Sequence, residues 1–108
     1  MMDPVVVLFA DDEEDFRFLS IRQIQRNLKN YQFAFLEASD GEEALALLKE
    51  GAKPSLMIFD YVMPKMNGPQ LLRSIDRDYP ELRDVPRIMI SGYLRHEDVQ
   101  KESQQLRC

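Results

Sequence analysis

Three aspartates at two places along the chain carry the clearest chemical signal in the sequence: Asp11, Asp12 and Asp60. The first two directly follow the apolar run Val5–Ala10, and the third directly follows the apolar run 56–59. Carboxylates held close together repel one another unless a hard cation such as Mg²⁺, which prefers oxygen ligands, joins them. If the fold brings these aspartates together, we expect a site for a divalent metal and a phosphoryl group.

Both apolar runs have the pattern of buried strands. They are short, continuously apolar and rich in branched or aromatic residues, which is typical of strands covered on both faces of a parallel sheet. Neighbouring parallel strands end at the same edge of their sheet, where α/β proteins bind their ligands. The sequence therefore predicts that the three carboxylates meet in one crevice at the carboxyl ends of two strands.

Strand-like and helix-like patterns alternate along the chain. Apolar or aromatic-rich runs predict strands at Val5–Ala10, 31–36, 55–60 and Arg87–Ile90. Apolar residues three and four positions apart predict helices at 14–29, at 42–49 and from after residue 68 to about residue 78. This strict alternation indicates a parallel sheet with right-handed crossover connections.

Two of the helical patterns differ in how well they could pack. The first predicted helix places Phe18, Ile21, Ile24 and Leu28 on one side, which we expect to face the core. The last stretch, 97–107, has helix-forming residues but is polar on nearly every side. Such a helix packs weakly, so we expect this stretch to be frayed or held by something outside the chain.

Composition limits the classes of protein to which the chain can belong. At 108 residues, with 44% hydrophobic and 31% charged residues, it matches one globular domain. The net charge of -5, with no basic stripe, argues against direct binding of nucleic acid. The sequence shows no membrane-spanning run and no secretory signal, and its single cysteine, Cys108, can form no internal disulfide. We therefore expect a cytoplasmic protein without membrane contact.

Taken together, these residues resemble the receiver domain of bacterial two-component response regulators, the family typified by the chemotaxis regulator. Five features match it in the right order along nearly the whole chain. They are the pair Asp11 and Asp12 after strand one, Asp60 after strand three, Met63 with Pro64, Gly68, and Ser91 after strand four.

The resemblance assigns a role to each matching position. It implies that Asp60 is the phosphoryl acceptor and that the surrounding oxygens bind Mg²⁺. Asp12 would be a direct ligand, Asp11 a ligand acting through water, and the backbone carbonyl of Val62 a third protein oxygen. Ser91 would be the switch hydroxyl that hydrogen-bonds the phosphoryl oxygens, while Met63, Pro64 and Gly68 would shape the acceptor loop.

The resemblance also implies the fold and one departure from it. We expect a flavodoxin-like, three-layer α/β sandwich with parallel strand order 2-1-3-4, forming a single domain over 1–108 that is incomplete at its C-terminal side. The usual fifth strand and helix would be lacking. The family's lysine at the end of that fifth strand has no counterpart, because none of Lys53, Lys65 and Lys101 lies at a predicted strand end.

The function that follows is phosphoryl relay in two-component signal transduction. The domain would take its phosphoryl group from a histidine kinase or a phosphotransfer protein and signal by binding an unidentified output partner. It would be a switch module and not a turnover enzyme. Because strand four would be an exposed edge carrying Ile88, Met89 and Ile90, we also expect the chain to self-associate or to be marginally stable alone.

Two other functions compete with this one. A pseudo-receiver would bind a partner without being phosphorylated, which the absent lysine favours. A metal-dependent phosphohydrolase would use Asp60 or Asp11 as nucleophile, but it usually carries a second acid two residues later, where this chain has Val62 and Glu13. A nucleotide- or flavin-binding domain is disfavoured because no glycine precedes Gly41.

Overall fold

The computed structural model of the protein describes residues 3–90. Strands and helices alternate in this part of the chain, as predicted. The elements are β1 Val5–Ala10, α1 Glu14–Asn27, β2 Phe33–Ala38, α2 Gly41–Lys49, β3 Leu56–Asp60, α3 Gly68–Asp78 and β4 Arg87–Ile90, with a short 3-10 helix at Pro80–Leu82 between α3 and β4.

The four strands form one parallel sheet in the order β2-β1-β3-β4. This confirms the predicted flavodoxin-like topology and strand order. In the register of the sheet, Ala10 lies opposite both Ala38 and Phe59, and Asp60 lies opposite Ile90. The carboxyl ends of β1, β3 and β4 are therefore level with one another at one edge of the sheet.

Apolar side chains alternate between the two faces of the sheet and form a core on each. On one face Val7, Phe9 and Ile58 are buried, and the α1 residues Ile21 and Ile24 pack against them. On the other face the strands pack against helices α2 and α3. The members of that cluster are Leu8, Ala10, Ala38, Ala44, Leu48, Met57, Phe59, Met63, Leu71, Ile75 and Leu82. The three layers predicted for this fold are thus α1, the sheet, and α2 with α3.

The second strand begins and ends two residues later than predicted. The aromatic residue Tyr31 lies in a turn, where its backbone N–H donates to the carbonyl of Leu28 at 3.1 Å. The strand begins at Phe33 because that residue lies opposite Val5, the first residue of β1. The sequence signal was the aromatic cluster itself, which does not distinguish the turn from the strand.

The inward face predicted for α1 is only half right. Ile21 and Ile24 do face the core, but Phe18 and Leu28 are 56% and 46% exposed. The residue that completes the inner side of the helix is Arg17, which is buried. Residues 17, 21 and 24 lie on one side of the helix because they are spaced four and three positions apart. This side, which faces the sheet, differs slightly from the side on which the apolar residues alone would place the core.

Several predictions fall on residues that the structure does not describe. These are the switch hydroxyl of Ser91, the polar stretch 97–107, Lys101 and Cys108. Within residues 3–90, none of the helices combines the length and the hydropathy needed to cross a membrane.

Candidate metal and phosphoryl site

The structure brings the three aspartates together at the carboxyl ends of β1 and β3. One carboxylate oxygen from each of Asp11, Asp12 and Asp60 lies within 4.8 Å of the other two. The cause is the register of the sheet, since Ala10 and Phe59, which precede the first and last of these residues, lie side by side. Asp11 and Asp60 are each only 1% exposed.

Asp11 is held firmly but keeps one oxygen unpaired. Its backbone N–H donates to the carbonyl of Ala38 at 3.0 Å, and its Oδ1 accepts the backbone N–H of Glu13 at 2.8 Å. Within the described residues its Oδ2 is buried without a hydrogen-bond partner. A buried carboxylate oxygen without a partner is unfavourable, so this atom needs a cation or a water molecule.

Asp60 is the most strongly perturbed acid of the site. Burial raises the pKa of Asp60, the N–H of Val62 opposes the shift, and the negative charges of Asp11, Asp12 and Glu13 add to it, so that the pKa rises from 3.8 to about 6 in all. That N–H donates to Oδ1 of Asp60 at 3.2 Å. Burial likewise raises the pKa of Asp11, against the hydrogen bond from the Glu13 N–H. The site therefore gathers more negative charge than its surroundings compensate.

This donor set fits Mg²⁺. Carboxylate oxygens are the ligands that this ion prefers, and a site with few protein ligands and room for water suits its reluctance to lose its hydration shell. A cation held here would offset the repulsion that helps to raise the pKa of Asp60, and a water molecule of its hydration shell would give the unpaired oxygen of Asp11 a partner.

The loop after Asp60 is tightly folded. The backbone N–H of Met66 donates to the carbonyl of Pro64 at 2.7 Å, and Lys65 between them has a φ of 69°, which makes a strained γ-turn. The loop returns to the strand where the N–H of Gly68 donates to the carbonyl of Tyr61 at 3.0 Å. Strain of this kind is typical of functional loops whose surroundings hold them in place.

One side of the site is open. A cleft of about 310 Å³ is lined by Asp12, Val62, Met63 and Pro64. The side chain of Met63 is buried and anchors the loop, whereas Val62 is exposed at the mouth of the cleft. A small ligand can therefore approach the cluster from the side of Asp12, past residues 62–64.

Helix α3 begins directly behind this loop with a feature that the sequence analysis missed. Oδ1 of Asn67 accepts the N–H of Gln70 at 2.8 Å, and Oε1 of Gln70 accepts the N–H of Asn67 at 2.9 Å. This reciprocal capping box fixes the point at which the loop ends and the helix starts. The spacing of Asn67 and Gln70 is its sequence signal.

Gly68 leaves no room for a side chain next to Asp60. A Cβ atom at this position would lie 2.6 Å from the backbone oxygen of Asp60 and 2.8 Å from Sδ of Met89.

We expect Gly68→Ala to lower the free energy of unfolding by about 1–3 kcal/mol, because the backbone of Asp60 must shift. Gly41→Ala is the matched control, since the three atoms nearest to a Cβ there all belong to the side chain of Met66 and none to the backbone. Chemical denaturation of both variants checks this, and equal stabilities would contradict it.

Two further residues near the site were also missed by the sequence analysis. The guanidinium of Arg17 donates from Nη1 to the carbonyl oxygen of Asp11 and from Nε to Oε1 of Glu37, the latter at 2.8 Å. The only sequence signal for Arg17 is a basic residue two positions after the acidic run 11–15, and Glu37 has none. Lys65, in contrast, lies away from the strand ends, with its ammonium nitrogen 3.5 Å from Oε2 of Glu42.

Comparison with known proteins gives a consistent picture. The sequence pattern of the family described as "Response regulator receiver domain" matches residues 7–105. The sensor kinase CckA of Brucella abortus is 35% identical over 88 residues, which cover 81% of this chain and 9% of that protein. The probable transcriptional regulator ycf27 of Guillardia theta is 35% identical over 86 residues, covering 80% of this chain and 30% of that protein. This chain thus spans less than a third of either relative.

Solved structures show the same relationship. The chemotaxis response regulator CheY4 of Vibrio cholerae superposes with a TM-score of 0.70 at 25% sequence identity, over 92% of this chain and 78% of that chain.

Proposed function

The chain belongs to the response regulator receiver family, and from that premise we propose that it is a phosphoryl-accepting domain of two-component signal transduction that uses Asp60 as acceptor and Mg²⁺ as cofactor. The observation that carries the proposal is the convergence of three carboxylates within 4.8 Å beside an open cleft. The residue with the most strongly raised pKa, Asp60, lies at the end of a strand behind that cleft.

In the proposed reaction, a carboxylate oxygen of Asp60 forms a bond to phosphorus while the bond between phosphorus and the donor atom breaks. The donor atom is an imidazole nitrogen of a histidine kinase or phosphotransfer protein, or a carboxylate oxygen of a small acyl phosphate. Bound Mg²⁺ supplies charge neutralisation between the anionic carboxylate and the anionic phosphoryl group. The chain's own contribution is to hold Asp60 still through the Val62 N–H and to align it with the cleft.

The finer roles of the site residues belong to the same proposal. Asp12 and Asp60 would bind the metal directly, Asp11 would act through a water molecule at its unpaired Oδ2, and the carbonyl of Val62 would supply a further oxygen. Ser91 would receive the phosphoryl oxygens. It directly follows Ile90, which lies opposite Asp60 in the sheet.

The proposal extends to the setting in which the domain works. It would act as a switch that binds a partner and not as a turnover enzyme, in the cytoplasm, with a histidine kinase or phosphotransfer protein as its source of phosphate. A pseudo-receiver is the second candidate, because none of the lysines of residues 3–90 lies at the carboxyl end of a strand, and Lys65 lies near Glu42.

Treatment of the purified chain with a small acyl phosphate, with and without Mg²⁺, distinguishes these functions. We expect one added phosphoryl group per chain, detected by intact mass spectrometry, and only when the metal is present. A pseudo-receiver would remain unlabelled under both conditions. A phosphohydrolase would release phosphate continuously without accumulating a labelled chain.

Binding of Mg²⁺ gives a separate test of the metal site. We expect affinity in the millimolar range or weaker, because the ion keeps part of its hydration shell, and we expect Asp12→Ala to weaken it at least about tenfold. Titration followed by amide chemical shifts measures this. Glu14→Gln is the matched control, since Glu14 is an exposed acid in the first turn of α1. If Asp12→Ala binds Mg²⁺ as tightly as the parent, the metal site does not include Asp12.

Self-association through strand β4 is a further part of the proposal. In the described residues β4 pairs only with β3, and an apolar groove of about 480 Å³ runs from α1 to Ile88 and Ile90. Edges and apolar faces of this kind favour pairing with a second copy. We expect concentration-dependent sedimentation that Ile88→Lys reduces. Leu28→Lys, at a residue equally exposed but outside the groove, should not change it. A monodisperse monomer at all concentrations would refute this part.

A further inference from the structure

Helix α1 buries a charged residue beside the acidic site. Arg17 is 9% exposed, and the acidic residues Glu14 and Asp15 precede it in the first turn of the helix. Removing a guanidinium from water is strongly unfavourable unless its N–H groups find good acceptors. The guanidinium of Arg17 is therefore expected to bind acceptors close to the acidic site.

The position of Arg17 follows from the packing of α1 on the sheet. Along β2, residues two apart lie on the same face, so Glu37 shares its face with Phe33 and Phe35, which pack into the core beneath α1. Arg17 lies on the inner side of α1 together with Ile21. The two charged side chains therefore meet at the rim of an apolar layer, next to the end of β1.

The contacts of Arg17 complete the fixation of one aspartate. Asp11 is held at its N–H by the carbonyl of Ala38, at its carboxylate Oδ1 by the N–H of Glu13, and at its carbonyl oxygen by the guanidinium. Glu37 in turn holds Nε of the guanidinium at 2.8 Å. With these groups fixed, the direction of the unpaired Oδ2 is fixed too.

We propose that Arg17, oriented by Glu37, is a positioning residue for the metal site: it fixes the backbone of Asp11 so that the carboxylates of Asp11 and Asp12 face Asp60. This inference rests on the proposed Mg²⁺ site. Groups that orient metal ligands without touching the metal commonly change its affinity 10–100-fold, so the contact has a measurable consequence.

A role in positioning and a role through charge alone predict opposite effects. The positive charge of Arg17 repels a divalent cation, so if charge were all that mattered, removing it would tighten the binding of Mg²⁺. If Arg17 positions the aspartates, removing its donors weakens the binding instead. The sign of the change in affinity therefore separates the two.

The test uses the full chain and Mg²⁺ as the probe, in three variants and one control. Arg17→Met removes the charge and the donors at similar length, Arg17→Lys keeps the charge but not the forked donors, and Glu37→Gln removes the charge that orients the guanidinium. Arg22→Met is the control, because it makes the same charge change on the exposed side of the same helix. The readouts are Mg²⁺ affinity and the hydrogen exchange rate of the Glu13 amide, which reports its bond to Asp11.

We expect Arg17→Met to weaken Mg²⁺ binding about tenfold or more and to speed exchange at Glu13. Arg17→Lys and Glu37→Gln should show smaller changes in the same direction, and the control should show neither. Unchanged or tighter metal binding with unchanged exchange would overturn the inference. If Arg17→Met does not fold, parent-like behaviour of both Arg17→Lys and Glu37→Gln overturns it. If the parent binds no Mg²⁺, the proposed function fails, and the Glu13 exchange rate alone decides the role of Arg17.

Discussion

Asp60→Asn is expected to abolish phosphoryl labelling by a small acyl phosphate. The amide that replaces the carboxylate is not a nucleophile of comparable strength, while its size and shape are nearly unchanged, so labelling should fall to the background of the assay. The raised pKa of Asp60, about 6, leaves the carboxylate mostly ionised at neutral pH and thus available to attack phosphorus. Intact mass spectrometry of the parent and the variant, each with Mg²⁺, measures the difference.

The control for this experiment is Asp78→Asn, which removes an exposed acid at the end of α3. It should be labelled like the parent. Equal labelling of the parent and Asp60→Asn would exclude Asp60 as the acceptor, and peptide mapping would then show whether Asp11 or Asp12 had been modified instead. Because all three lie in one cluster, only this substitution series separates their roles.

The second large effect is a loss of stability of the metal-free protein as the pH rises. The folded chain holds the proton of Asp60 up to a pKa of about 6, whereas the unfolded chain releases it near 3.8. The protonated carboxyl therefore contributes stability that is fully present below about pH 4 and is lost as the pH rises through 6. The shift of about two units corresponds to about 3 kcal/mol, and the raised pKa of Asp11 acts in the same direction.

Urea denaturation between pH 4 and pH 7 in the presence of a chelator tests this. The parent should lose about 2 kcal/mol relative to Asp60→Asn across this range, because the variant has no proton to lose at this site and the unfolded parent is already mostly ionised at pH 4. Addition of Mg²⁺ at pH 7 should restore part of the difference, since a ligand that binds only the folded state stabilises it. If the free energies of unfolding of the parent and of Asp60→Asn change in parallel with pH, the pKa of Asp60 is not raised by its surroundings.

Elements with long, regular apolar patterns could be predicted from the sequence. The bounds of β1 and β4 and the two-sided core follow from continuous apolar runs separated by helical patterns, whereas the strand order β2-β1-β3-β4 was implied by the resemblance to the receiver family. Where the pattern was ambiguous, the prediction was wrong. The aromatic residues 31–36 did not reveal that β2 begins only at Phe33, because the start of a strand on the edge of the sheet is set by its pairing with β1.

Side-chain burial on α1 shows the same limit in more detail. Hydrophobicity alone favoured Phe18 and Leu28 as core residues, yet both are exposed, while the charged Arg17 is buried. A helix is oriented by the sum of its contacts, and here the pairing of Arg17 with Glu37, twenty positions away in sequence, contributes to that sum. No local periodicity contains that partner.

The sequence by itself determined which residues could meet at the site, because an aspartate after each buried strand must lie at the carboxyl edge of a parallel sheet. Only the tertiary structure decided what state these aspartates are in: the unpaired Oδ2 of Asp11, the pKa of Asp60 near 6 and the guanidinium of Arg17 on the backbone of Asp11. The physical reason is that desolvation and charge repulsion depend on every atom within a few ångströms, and those atoms come from β1, α1, β2 and β3, segments that are remote from one another along the chain.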